Sequence, residues 1–114
     1  KSMLFAGDLP EGSKVRFMKA NFDRLIDAAS QAANISVTDF NSMQPSLAIL
    51  VSCVGRKLIL SDRIDEEVEA VKDVLGSHTT ICGFYSYGEI SPLLKGTSCE
   101  LHNQTMTITC LSEE

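Results

Sequence analysis

Three short runs concentrate the residue types able to hold or transform a ligand. The first is Ser52-Cys53-Val54-Gly55-Arg56, where an apolar stretch gives way to a glycine turn and an arginine. The planar guanidinium fork pairs two-pronged with a carboxylate, which makes Arg56 a candidate anchor for an acidic ligand group. A surface bridge from Arg56 to a Glu or Asp explains the same residue. The second run is Gly83-Phe-Tyr-Ser-Tyr-Gly-Glu-Ile90. A glycine within a strand marks a bulge or the close approach of a backbone or ligand. Tyr85 and Tyr87 then share one face and offer flat contact area with hydroxyl tips, while Glu89 is placed to receive an ammonium group. Core packing followed by a Gly-Glu turn is the competing reading. The third run is His102-Asn103-Gln104-Thr105, at the head of a final strand.

His102 with Cys53 and Glu89 could form a nucleophile and base set. Side chains of this kind on strands are more often plain hydrogen-bonded partners. No Gly-rich phosphate fingerprint, HExxH, nucleophile elbow or EF-hand spacing is present. The expectation is therefore a binding domain and not an enzyme, with no catalytic residue, no metal ligand and no cofactor.

Positioning these runs requires a sheet with helices laid on it. Residues 2–6 and 14–19 read as strands joined by the turn-rich segment 7–13, hence a hairpin. Asn21 caps a helix whose Phe22, Leu25, Ile26, Ala29, Ala32 and Ala33 form one apolar stripe. A loop over 39–46 leads into Leu47-Ala-Ile-Leu-Val-Ser-Cys53, whose unbroken apolar character suits a strand covered on both faces. After a short turn through Leu60, Asp62 caps a second amphipathic helix carrying Ile64, Val68, Val71 and Leu75 and ending at Gly76. Residues 79–87 and 100–111 are β-rich, separated by 91–98, and an antiparallel pair is the simplest arrangement. The fold class predicted is α+β, a two-layer α/β arrangement with a predominantly antiparallel mixed sheet in the order β-β-α-β-α-β-β.

A chain of 114 residues with 44% hydrophobic and 22% charged residues is sized for one core and one domain over 1–114. The net charge of −5 and the scattered Lys and Arg argue against nucleic acid and against an anionic membrane surface. No apolar run approaches the roughly 20 residues of a membrane span, and residues 1–7 do not resemble a signal peptide. A cytoplasmic domain is expected. Cys53, Cys82, Cys99 and Cys110 are too widely spaced for a paired zinc motif and read as buried free thiols. The triplets Asn34-Ile-Ser36 and Asn103-Gln-Thr105 match the glycosylation pattern by chance if no secretory signal operates. The chain starts at Lys1, close to its first strand, and reads as a piece of something longer.

The three runs in this order, with Leu9-Pro-Glu-Gly12 ahead of them, resemble the blocks of the FIST C-terminal domain, a sensory module of signalling proteins. The likeness spans nearly the whole chain. It implies a sensory input domain that binds a small molecule such as an amino acid and passes the signal to an output domain. A FIST N-terminal domain normally precedes it, so a ligand site shared between the two would be only half present here. Matching positions put Cys53, Arg56, Tyr87, Gly88, Glu89, His102 and Asn103 in the characteristic motifs. With Tyr85 added from the residue reading, the candidate ligand-binding set is Cys53, Arg56, Tyr85, Tyr87, Glu89, His102 and Asn103. In the simplest version an amino acid places its carboxylate on Arg56 and its ammonium on Glu89. The alternative is a protein-interaction module without a small ligand, using the acidic helix 62–75 or a strand edge, with Arg56 and Glu89 paired to each other.

Overall fold

The computed structural model describes residues 2–5, 7–38, 44–93 and 96–113. The first helix, α1, runs Phe22–Thr38 and is followed by strand β1, Leu47–Cys53. Helix α2, Val54–Leu60, a 3-10 turn over Ser61–Arg63 and helix α3, Ile64–Leu75, then lead to β2, Thr80–Ser86. Strands β3 (Glu89–Pro92), β4 (Cys99–His102) and β5 (Met106–Leu111) complete the order.

The central sheet has the order β2-β1-β5, with β1 parallel to β2 and antiparallel to β5, while β3 and β4 form a separate antiparallel hairpin. The register pairs Leu50 with both Gly83 and Ile108, and Ser52 with both Tyr85 and Met106. Strand side chains alternate between faces. Ala48, Leu50, Ile81, Met106, Ile108 and Cys110 therefore project together and pack with Ala29 and Ala33 of α1 and Val71 and Leu75 of α3. The small alanines of α1 let it lie close to α3 and to β5, where the Ser36 hydroxyl donates to the Ile108 carbonyl at 3.2 Å. Asn21 caps α1 through its side-chain oxygen, which accepts from the Asp23 amide at 2.9 Å. Gly76 closes α3 in the left-handed region at φ 81°.

The α+β class and the mixed sheet match the sequence reading, and several details differ. No strand forms over the described residues from 2 to 20; the turn Pro10–Ser13 is present, with Gly12 at φ 82°, but its arms are unpaired. A strand-like pattern is only a propensity until another strand completes the ladder. Val54–Leu60 is helix instead of turn, and α3 starts at Ile64 with no side-chain cap. The two β-rich stretches do not pair with each other as wholes: residues 80–86 lie parallel to β1, and 99–111 break at 103–105 into β4 and β5. The predicted loop over 39–46 falls partly outside the described residues. Among the cysteines, all free, Cys53 is buried and Cys110 half-buried, but Cys82 and Cys99 are exposed, contrary to the expectation for all four.

Candidate functional site

The three motif runs meet at one end of the sheet, where β1 and β2 finish and β5 begins. The Cys53 amide donates to the Thr105 carbonyl at 3.0 Å, joining the first run to the third. Glu89, at 3% exposure, accepts the Ser86 hydroxyl at 2.5 Å and the Thr105 hydroxyl at 2.6 Å, joining the second run to the third. The Gly55 Cα faces the Gln104 side chain, and a Cβ there would stand 3.3 Å from Gln104 Cγ. Gln104 itself takes a left-handed backbone, φ 60°, to turn the chain from β4 into β5.

Arg56 is at the centre of this junction and is 2% exposed. Its Nε donates to Glu67 Oε1 at 2.5 Å, Nη2 to the Leu25 carbonyl at 2.7 Å and Nη1 to the Gln104 carbonyl at 3.3 Å. Glu67, fully buried on α3, also accepts the Ser52 hydroxyl at 3.2 Å. One guanidinium thus ties α1, α3 and the 103–105 turn, which its five donors permit and a lysine's point charge would not. Both outcomes expected of Arg56 are modified by this: it does bridge to a glutamate, but in the interior, and its partner is Glu67, not Glu89. Nothing in the reading of the sequence singled out Glu67. The signal was its phase, three residues after Ile64 and four before Val71, on the buried stripe of α3.

The remaining members of the expected set are dispersed. His102 ends β4, and its Nε2 is 3.0 Å from the Ser91 carbonyl across the hairpin. Tyr87 lies beyond the end of β2 and is 89% exposed, so it does not share a strand face with Tyr85. Asn103 lies on the 103–105 turn, on the wall of a second, shallow cavity against Phe5, Leu9 and Val15.

Tyr85 is the one member that lines a cleft with apolar walls beside the junction. This cleft, about 250 Å³, opens between α3 and the β2 edge of the sheet; Leu50, Val68, Ile81 and Met106 supply apolar walls, and Ser52, Glu67 and Tyr85 supply its polar end. Burial, reinforced by the Glu67 charge, pushes the Tyr85 phenol above its ordinary value, so it remains a protonated donor at neutral pH. Lys57 stands over the outer side of the Tyr85 ring at 5.0 Å. Gly83, on the cleft wall, lets β2 lie close against β1: a Cβ at this position would be driven into the Leu50 carbonyl oxygen. Val68, Ile81 and Met106 are not singled out as site residues by the sequence because apolar residues in a cleft wall and in a core look alike.

Among the described residues no group of His, Cys, Asp and Glu is arranged to hold a metal ion, and no helix is long and apolar enough to cross a membrane. Comparison with curated proteins and with solved structures gives no match. The FIST C domain family matches residues 1–92, covering the first two motif runs and leaving His102-Asn103-Gln104-Thr105 outside the matched region. With four-fifths of its length matched, the chain belongs to the FIST C domain family.

Proposed function

We propose that this domain is the sensory input of a signalling protein and that it works by binding a small, largely apolar ligand, such as an amino acid, in the cleft between α3 and β2. Family membership is consistent with a sensory domain in signalling proteins. The observation that carries the ligand reading is the cleft itself: apolar walls, a few polar groups at one end, and a volume of about 250 Å³. Sites for drug-sized molecules run to roughly 300–1,000 Å³, so a smaller guest is indicated. An amino acid with an apolar side chain has that size and that division of character.

Arg56 and Glu89 serve this reading indirectly. Both are satisfied within the protein, Arg56 by Glu67 and two carbonyls and Glu89 by two hydroxyls. A ligand would meet the Tyr85 hydroxyl and the Ser52 end of the cleft, while Arg56 fixes Glu67 behind them. Binding without catalysis fits the pairing of His102 with Ser91 and the burial of Cys53. A ligand that presses on Val68 presses on α3, which Arg56 couples to α1 and to the 103–105 turn, giving a route to an adjoining FIST N-terminal or output domain in the cytoplasm.

The test is a thermal melt against a panel of amino acids. A ligand at a hundred times its Kd stabilises by about 2.7 kcal/mol, a rise of roughly 10 °C for a domain of this length. Val68→Trp, at the half-open mouth of the cleft, is expected to fold and to lose that rise. If no amino acid shifts the melt of the unaltered protein, the ligand reading fails and the protein-interaction alternative takes its place.

A further inference from the structure

The N-terminal segment and the central sheet each leave apolar surface uncovered. Phe17 is 80% exposed, Met18 84% and Leu4 fully exposed. On the sheet, the face opposite the helices presents Ile49, Val51, Phe84 and Leu111, with Phe84 at 61% exposure. Strands β1, β2 and β5 contain no Lys, Arg, Asp or Glu at all. Sheets left open to solvent ordinarily carry charges that discourage pairing with other chains, and this one has none. The total accessible surface is 8820 Å². A folded monomer of 12.4 kDa exposes about 6,100 Å². The excess in one copy, about 2,700 Å², is more than the roughly 800 Å² that each partner gives to a standard protein interface.

Charge separates the same two regions. Residues 1–20 hold four Lys and Arg against two Asp and Glu, net +2, so the remainder of a chain of net −5 carries −7. The segment is basic and apolar, the body acidic with an uncharged open face. The radius of gyration is 15.5 Å, where about 13 Å is usual for a chain of this length.

We propose that the occupant of the open sheet face is the N-terminal segment of a second copy of this chain, so that two copies exchange residues 2–19 across a two-fold axis. Phe17 and Met18 of each copy cover Phe84, Val51 and Leu111 of the other, while Lys14, Arg16 and Lys19 meet the acidic body. An exchange of this kind is self-complementary, as a two-fold interface requires, and closes without leaving a further site for growth.

Sedimentation equilibrium on the 114-residue chain tests this. A dimer is expected, weakened about ten-fold or more by Phe17→Glu and equally by Phe84→Lys, as for buried aromatic anchors. Both side chains are exposed in the single chain, so folded variants are expected, and Leu111→Lys on the same face replaces Phe84→Lys should the latter unfold. A chain that stays monomeric at all concentrations overturns the proposal, whether the segment closes on its own sheet or serves another partner. A dimer indifferent to Phe17→Glu overturns it too, since the sheets would then pack on each other directly.

Discussion

Arg56 and Arg63 lie seven residues apart and each pairs with a glutamate of α3, yet the two pairs work under opposite conditions. Glu66 and Glu67 are neighbours in sequence and leave the helix in different directions. Arg56 and Glu67 are 3% and 0% exposed at the side chain, and bonds to Leu25, Gln104 and Ser52 stand in for water that the pair has lost. Arg63 grips Glu66 with two parallel bonds of 2.8 and 2.7 Å and reaches Asp23 of α1 at 3.1 Å, but its side chain is 39% exposed. Water and salt already satisfy much of that surface charge, so the second pair adds little. The interior pair is kept for what it positions. Replacing a buried ion pair with apolar residues is often neutral or stabilising, so stability alone does not account for its presence.

The largest effect expected is from breaking the interior pair on one side. Arg56→Ala leaves Glu67 as an uncompensated buried charge and should cost about 3–5 kcal/mol, read by urea denaturation. The double variant Arg56→Met with Glu67→Leu should recover most of that stability while losing the ligand response of the cleft. Recovery of both would separate the pair from the sensory role. Next comes the buried carboxylate that has hydroxyls for partners: Thr105→Val removes one donor to Glu89 and should cost about 1–3 kcal/mol, with loosening of the 103–105 turn visible in amide exchange.

The smallest effect belongs to the surface pair. The hydrogen bonds from Arg63 hold the Glu66 carboxyl below the ordinary carboxylate range, outweighing a slight opposing effect of burial. A carboxyl lowered on folding contributes stability above its unfolded value, about 4.3, and loses it as pH falls through the lower folded value. The advantage of the unaltered protein over Glu66→Gln should therefore be small at neutral pH, weaken with salt, and vanish in acid.

How far the sequence revealed all this follows from which interactions are local. The α1 stripe from Phe22 to Ala33 and its Asn21 cap could be read directly, because helix periodicity and capping are decided within a few residues. So could the apolar run of β1. Helix α2 was hidden by Gly55, which reads as a turn but here makes room for Gln104. The arms 2–5 and 14–19 carry a strand pattern, but the ladder that would make them strands depends on a partner outside the local sequence. The motif runs were recognisable and do converge, through Cys53 to Thr105 and Thr105 to Glu89. What they build is a satisfied junction, and the direction in which Arg56 points depended on Glu67, eleven residues away on another helix. A cleft wall such as Val68 or Met106 has no sequence signature distinct from core, which is why the open space beside the junction appeared only in three dimensions.

The proposed ligand occupies the cleft and not the motif junction. Amide chemical-shift mapping during titration with apolar amino acids tests it most directly. Saturable shifts are expected at Val68 and along Ile81 to Tyr85, with weaker ones relayed to Gln104. Shifts centred on Tyr87, Asn103 and Glu89 with none at Val68 would contradict it.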